Sequence, residues 1–117
     1  MAFNFEDLDV YNKAIDLVSG IYSSTKSFPK DEMFGLTSQL RRAAVSIPSN
    51  ISEGSARSKK DFCRFIDMAR GSVFECVTLL QISLKEQYIE KKQCAYLRNV
   101  LTDVSKMLSG LRRSVNR

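Results

Sequence analysis

Apolar residues recur at intervals of three and four along four stretches of the chain, the spacing of one face of an α-helix. The first stretch follows Asp7, which stands where a helix N-cap would, and it should end before Phe28-Pro29 because the residue before a proline is disfavoured in helical geometry. The second ends near Gly54-Ser55, the third starts at Ser58 and the fourth near Glu90. The apolar positions are Tyr11, Ile15, Val18 and Tyr22; Leu36, Leu40, Ala43, Ile47 and Ile51; Phe62, Phe65, Ile66, Ala69, Val73, Cys76 and Leu80; and Leu97, Leu101, Val104, Leu108, Leu111 and Val115.

Four amphipathic helices with short loops predict an all-α fold, an antiparallel up-down four-helix bundle that takes residues 1–117 as one domain. Five glycines and two prolines in 117 residues are too few for a turn-rich β-sandwich or barrel. Pro48 removes the hydrogen bond to the carbonyl of Ala44, so we expect the second helix to be kinked near Pro48 without breaking in two. Gly71, in the middle of the third helix, indicates either close approach of another backbone or a tolerated substitution.

Composition argues against an enzyme. The chain has no histidine, so no nucleophile has an imidazole beside it, and the glycine-rich phosphate loops are absent. The cysteines at 63, 76 and 94 form no Cys-x-x-Cys pair and are predicted to fill a reduced core, which leaves no metal site and no cofactor. No apolar run is long enough to span a membrane, and the acidic start does not resemble a signal peptide, so we expect a cytoplasmic protein.

Charge is unevenly distributed along the chain. Residues 1–40 carry a net charge of −3 and the remainder +8, for a total of +5. Clustered Lys and Arg on helix faces are typical of phosphate-binding surfaces, although an ordinary solvated face has the same appearance. We expect no exposed aromatic residue among these cations, which argues against base stacking. The predicted nucleic-acid-binding residues are Lys59, Lys60, Arg64, Lys92, Arg98, Lys106, Arg112 and Arg113.

The first helix has two adjacent apolar stripes, which together cover about 160° against the ~100° that packs a surface helix onto its own core. One stripe comprises Tyr11, Ile15, Val18 and Tyr22, and the other comprises Val10, Ala14, Leu17 and Ile21. Either the helix is deeply buried or the second stripe is a subunit interface, since monomers seldom expose such patches. We predict the interface, and therefore a homo-oligomer.

A polar line on the second helix flanks its apolar face. It consists of Gln39, Arg42, Ser46, Asn50 and Glu53. Polar groups at a core boundary are partly desolvated and need partners. Three interpretations stay open: a polar network within the bundle, a polar seam between subunits, or a groove for a ligand or nucleic acid.

Residues 35–54, GLTSQLRRAAVSIPSNISEG, together with Phe28-Pro29 and the later positions Phe62, Phe65, Ala69 to Ser72 and Glu75, carry a family resemblance. They resemble the four-helix-bundle proteins encoded in 23S ribosomal RNA intervening sequences, also called the S23 ribosomal protein family. The resemblance implies a bacterial protein that assembles into a ring-like homopentamer. It also implies that the characteristic polar positions are Gln39, Arg41, Arg42, Asn50, Glu53 and Arg70.

The family is similar to the accessory protein of diversity-generating retroelements, which binds nucleic acid and a reverse transcriptase through a basic surface. The sequence departs from the family pattern at two places. Tyr11 occupies the position where the first helix begins with an aromatic residue that is often Trp. The loop 84–88 lacks the glycine that is common there. We therefore expect a homo-oligomer that binds structured RNA or DNA. The alternatives are a scaffold for a reverse transcriptase or a ribosome-associated protein, and a small-ligand binder with a cavity in the bundle.

Overall fold

The computed structural model describes residues 3–117, which form four long helices. They are α1 (Asp9–Thr25), α2 (Leu36–Ser55), α3 (Lys59–Lys85) and α4 (Lys91–Val115). Short 3₁₀ turns at Asn4–Asp7 and Lys30–Glu32 precede α1 and α2, and the described residues contain no strand. The all-α class predicted from the hydrophobic periodicity is therefore confirmed.

Contacts between α1 and α4 show that these two helices are antiparallel. Early in α1, Lys13 pairs with Asp103 of α4 at 3.5 Å, and at the other end Gln93 Nε2 donates to Ser24 Oγ at 2.9 Å. Helix α1 contacts α2 and α4, and α3 contacts the same two helices, so α1 and α3 lie diagonally opposite. This is the antiparallel up-down four-helix bundle that the sequence predicts.

The core of the bundle contains the very stripe of α1 that was predicted to be a subunit interface. Val10, Ala14, Leu17 and Ile21 are 4%, 0%, 2% and 0% exposed within a single chain. They are core residues, and the interface prediction for these four is wrong. The physical reason is that α1 packs against two neighbours, so the stripe facing the bundle axis is enclosed, and its adjacent stripe stays partly outside.

The predicted helix boundaries agree with the structure except at the start of α1. Asp7 ends the first 3₁₀ turn, and Leu8 occupies the N-cap position, so the predicted Asp7 cap is wrong. The Ser58 cap is present, since its Oγ accepts from the Asp61 N–H at 3.2 Å. Helix α2 ends at Ser55 and α4 starts directly after Glu90, both as predicted.

Helix α2 runs without a break through Pro48, which is buried. One continuous helix is what the in-phase apolar pattern around Pro48 predicts. Proline has no N–H, so the Ala44 carbonyl lacks its usual partner within the helix.

Close helix approach occurs at Gly54 and not at Gly71. A Cβ on Gly54 would lie 2.6 Å from the Phe65 Cβ and 2.9 Å from Phe62 Cδ1, so the end of α2 sits directly on the start of α3. A Cβ on Gly71 would meet nothing within 4 Å. The close approach considered for Gly71 is therefore wrong, and Gly71 faces open space.

The α3–α4 turn closes without a glycine. Gln87 adopts a left-handed φ of 65°, and the Tyr88 N–H donates to the Ser83 carbonyl at 2.9 Å, as in a Schellman motif. Tyr88 OH donates to Glu32 Oε2 at 3.2 Å, while Glu32 Oε1 accepts from the Leu36 N–H at 3.1 Å. The turn is thereby tied to the start of α2. Loss of hydration, followed by the Glu32 contact, raises the pKa of Tyr88.

Substitution by alanine should have opposite effects on stability at Gly54 and at Gly71. We expect Gly54→Ala to destabilise the fold by about 1–3 kcal/mol, because the new methyl overlaps the backbone-anchored Cβ of Phe65. We expect Gly71→Ala to stabilise it by about 1 kcal/mol, because alanine is the better helix former and the site is open. Urea unfolding measures both, and a stabilised Gly54→Ala variant would contradict the close approach.

Candidate nucleic-acid interface

One end of the bundle collects an excess of cationic side chains, and we call it the basic end. It comprises residues 56–67, which turn from α2 into α3, and residues 112–117, which end α4. Antiparallel packing brings these two segments together. Their seven cations are Arg57, Lys59, Lys60, Arg64, Arg112, Arg113 and Arg117, and their two carboxylates are Asp61 and Asp67.

An open cavity of about 510 Å³ lies between the start of α3 and the end of α4. Its lining includes four of the eight cations predicted to bind nucleic acid. The lining residues are Lys59, Lys60, Asp61, Cys63, Arg64, Arg112, Val115 and Asn116. Lys59 and Lys60 occupy the first turn of α3, where the helix dipole is positive, so their charges are unfavourable there without an anion.

A bidentate ion pair holds Arg112 in place. Arg112 Nε donates to Asp67 Oδ1 at 2.8 Å, and Nη2 donates to Oδ2 at 3.0 Å. This hydrogen bonding is the main reason why the pKa of Asp67 lies below its usual range, with Arg70 adding a weaker charge effect. The Cys63 thiol also lies 3.9 Å from the Arg112 carbonyl, so both the side chain and the backbone of Arg112 are fixed to α3.

Two guanidinium groups flank the ring of Phe65. Arg57 Cζ lies 4.8 Å and Arg64 Cζ 5.2 Å from the ring centroid, which are cation–π distances. Arg64 is further only 3.6 Å from Asp61, but both side chains are largely exposed and the pair contributes little. The sequence prediction did not include Arg57 and Arg117. Both could have been found because Arg57 lies in the turn just before Lys59 and Lys60, and Arg117 lies in the terminal segment just after Arg112 and Arg113.

The other predicted cations do not join the basic end. Lys92, Arg98 and Lys106 are exposed along α4, and the 20 residues from Lys92 to Arg112 correspond to about 30 Å of helix. The predicted set is therefore divided between one cluster and one long face. Arg113 is exposed in the last turn of α4 and belongs to the basic end.

An exposed aromatic residue does lie among the cations of α4. Tyr96, four residues after Lys92, is 61% exposed. The expectation that no such aromatic exists is wrong, because the apolar pattern alone does not show that Tyr96 lies outside the core face. An exposed aromatic ring is thus present one helical turn from Lys92.

The polar line of α2 forms a network within the chain. The hydroxyls of Ser46 and Ser72 are hydrogen-bonded across α2 and α3, and Asn50 Nδ2 donates to the Ser46 carbonyl at 2.8 Å. Asn50 is 9% exposed, so it is enclosed between the helices. For Ser46 and Asn50, the network within the bundle is the interpretation that describes the contacts.

The outer part of the polar line is open to solvent. Gln39 and Arg42 line a cavity of about 450 Å³ between α2 and α3, and Glu53 is exposed. Phe34, which is 97% exposed, forms one wall of this cavity. The full lining is Phe34, Ser38, Gln39, Arg42, Ala43, Ser46 and Glu75.

Arg41 and Arg70 lie away from the polar line, although the resemblance groups them with it. Arg41 Nε donates to Thr25 Oγ1 at 2.9 Å, and its guanidinium lies over the Tyr22 ring, so it serves the α1–α2 contact. The charge of Arg70 helps to lower the pKa of Asp67, whose carboxylate faces α4 and binds Arg112. Arg41 is therefore turned towards α1, and the prediction that it forms one polar seam with Gln39, Arg42, Ser46, Asn50 and Glu53 is wrong.

The described residues offer little for covalent or metal chemistry. Residues 3–117 contain no group of three or more Cys, Asp or Glu side chains that could hold a metal ion. All three cysteines are free and buried, and burial raises the pKa of Cys76 to about 12, so this thiol stays protonated near neutral pH. No described helix has the length and apolar character needed to cross a membrane.

These features define a class: an antiparallel four-helix bundle with one strongly cationic end. The model of the 23S rRNA-intervening sequence protein family matches residues 6–110, and the chain belongs to that family. The chain is also similar to a crystal structure from Bacteroides thetaiotaomicron VPI-5482, described as a protein with unknown function from the S23 ribosomal protein family. That match has a TM-score of 0.82 and 24% identity over 89% of this chain and 95% of the other, which supports the fold. No curated protein matches the sequence.

The Arg112–Asp67 ion pair predicts a measurable pKa change. In the Arg112→Met variant the pKa of Asp67 should rise towards the ordinary value of an aspartate, because the two charge-assisted hydrogen bonds are lost. In the native protein the lowered pKa favours folding above the unfolded-state pKa, and this contribution disappears as the pH falls through the folded-state pKa. NMR titration of the Asp67 carboxyl tests this. An unchanged pKa would show that Arg112 does not determine it.

Proposed function

We propose that this protein is a non-enzymatic, nucleic-acid-binding bundle whose basic end contacts the phosphates of structured RNA or DNA. The observation that supports this most is the cavity of the basic end, where four predicted cations meet on two helices. Arg57, Arg113 and Arg117 add charge around it. Membership of the 23S rRNA-intervening sequence family is consistent with an RNA-associated role. We also infer a cytoplasmic location.

The arrangement of charge fits an anionic ligand better than it fits folding stability. Lys59 and Lys60 stand at the positive end of the α3 dipole, and Asp61 is the one carboxylate in that first turn. Phosphates bound in the cavity would relieve this repulsion and could also accept from backbone N–H groups at the helix start. Because each phosphate contact releases counterions, affinity should decrease steeply with salt.

A matched pair of lysine doublets tests the location. Lys59-Lys60 begins α3 and Lys91-Lys92 begins α4 at the opposite end of the bundle. We expect K59E/K60E to weaken binding to a structured RNA by at least tenfold and to reduce the salt slope by about two, one for each lost phosphate contact. The readout is fluorescence anisotropy over a series of salt concentrations.

The doublet K91E/K92E is the control, because it makes the same charge change at the same helical positions. It should retain near-native affinity. A loss confined to K91E/K92E would assign binding to the long face of α4 with Lys92, Arg98 and Lys106, and equal losses in both doublets would contradict a site confined to the basic end. Native affinity that is indifferent to salt would rule out a phosphate-driven mode.

We further propose that the protein is a homo-oligomer, with the pentamer implied by its family resemblance. Because the first stripe of α1 is buried, we assign the candidate contact to the adjacent stripe, Tyr11, Ile15, Val18 and Tyr22. Ile15 and Tyr22 are 43% and 40% exposed, which leaves an apolar strip on the outside of α1. Such a strip favours a partner surface.

Solution mass tests this contact. Ile15→Asp places a charge on the strip without entering the core, so we expect a folded chain with the 13.3 kDa mass of one copy, against a multiple of it for the native protein. Ser23→Asp makes a comparable change on another exposed side of α1 and should leave the assembly intact. A native protein with the mass of a single chain would overturn the proposal.

A protein-interaction scaffold, for a reverse transcriptase or a ribosome-associated partner, is the second candidate function. The observation that favours it is Phe34, an almost fully exposed aromatic at the rim of the polar cavity with Gln39, Arg42 and Glu75. Exposed aromatic residues beside polar groups are common anchors at protein interfaces. The K59E/K60E variant separates the two candidates, since a scaffold using the Phe34 cavity keeps its partner.

A further inference from the structure

A second open groove lies between α3 and α4 and shares no residue with the cavity of the basic end. Its volume is about 460 Å³, within the range of small-molecule sites, about 300–1,000 Å³. The lining residues are Val73, Phe74, Val77 and Thr78 of α3 and Leu101, Thr102, Ser105 and Lys106 of α4. Nothing in the proposed nucleic-acid binding requires this groove to be apolar.

The floor and one wall of the groove are hydrocarbon. Val73 and Leu101 are 2% and 0% exposed, whereas the Phe74 ring is 65% exposed and stands at the edge. The hydroxyls of Thr78 and Thr102 donate to carbonyls of their own helices at 3.2 and 3.0 Å. The groove therefore offers a ligand an apolar surface, since the two threonine hydroxyls already donate to backbone carbonyls.

One end of the groove is cationic. Lys106 forms no ion pair with any side chain in the part of the chain that the structure describes. Arg70 lies one turn before Val73 and Phe74 on α3, and its buried Nε has no hydrogen-bond acceptor among the described residues.

The antiparallel register places these two cations at a similar height in the bundle. Asp67 meets Arg112 near one end of the α3–α4 pair, and the Leu80 carbonyl meets Cys94 near the other. Between these contacts, Arg70 falls at about the level of Lys106. An orphaned guanidinium donor and an unpaired ammonium at one end of an apolar groove are complementary to an anion with a hydrocarbon body.

We propose that the α3–α4 groove binds a small amphipathic carboxylate. Its hydrocarbon body lies on Val73, Val77 and Leu101 beside the Phe74 ring, and its carboxylate accepts from Lys106 at the end near Arg70. The lining spans six residues of each helix, an axial rise of about 7.5 Å from the first to the last, which suits a short chain or a single ring better than a partner helix of several turns. The inference does not depend on nucleic-acid binding.

Octanoate is the probe ligand. Two control ligands accompany it: 1-octanol has the same eight-carbon chain without the charge, and acetate has the carboxylate without the long chain. Titration of the nucleic-acid-free protein is followed by amide NMR shifts. We expect octanoate to bind at least tenfold more tightly than 1-octanol, with shifts centred on the groove, and acetate to cause no groove shifts in the same range.

Three variants identify the residues. Lys106→Met keeps the aliphatic stem and should bring octanoate affinity down to that of 1-octanol. Lys92→Met, the same change two heptads earlier on the exposed face of α4, should leave octanoate affinity unchanged. Phe74→Ser removes the wall and should weaken both ligands; folding should persist, because Phe74 is mostly exposed.

Equal affinity for octanoate and 1-octanol, or an unchanged octanoate affinity in Lys106→Met, would overturn the proposal. Failure of octanoate to bind, combined with loss of self-association in Phe74→Ser, would also overturn it and assign the groove to a second copy of the chain. These outcomes are independent of the RNA measurements, so each proposal can fail alone.

Discussion

Close packing of α2 against α3 is the constraint on which the rest of the structure depends. At the end of α2, Gly54 lets the helix rest on Phe65, and one side chain larger than hydrogen would separate the two helices. Further along, Ser46 and Ser72 hold the same pair together, with Asn50 enclosed beside them. Small and hydrogen-bonded residues thus allow an approach that bulky apolar residues would prevent. A turn of only three residues, 56–58, then suffices to join the helices.

The basic end is a consequence of this short turn. Because α3 starts directly beside the end of α2, its first cations face the last turn of α4, and Arg112 closes the contact through Asp67. Cations in the last turn of α4 lie at the negative end of the α4 dipole, which is favourable. Cations in the first turn of α3 lie at the positive end of the α3 dipole, which is unfavourable. The fold therefore places Lys59 and Lys60 where their charges oppose the dipole of α3. This is the physical reason for seeking the ligand at the basic end before the longer cationic face of α4.

The two sides of α3 have different chemistry. The side towards α2 carries the hydroxyl network and opens into the polar cavity with the exposed Phe34. The side towards α4 carries an apolar groove with Arg70 and Lys106 at one end of it. All three thiols are buried and free, so the surface presents ammonium, guanidinium, hydroxyl and aromatic groups. The cavity of the basic end, the polar cavity and the apolar groove share no lining residue.

The hydrophobic period determined the four helices, their approximate ends and the antiparallel bundle, because a 3.6-residue repeat and short loops leave few other ways to bury the apolar faces. The family motif at residues 35–54 could also be read directly from the sequence. Only the tertiary structure decided which α1 stripe is core, because both stripes recur at helical spacing and this spacing does not show which of them faces the bundle axis. Likewise, the eight predicted cations looked equivalent in sequence. Antiparallel packing brought Lys59, Lys60, Arg64 and Arg112 together and left Lys92 about 30 Å from Arg112, since helical spacing fixes only the face of a residue and its height along one axis.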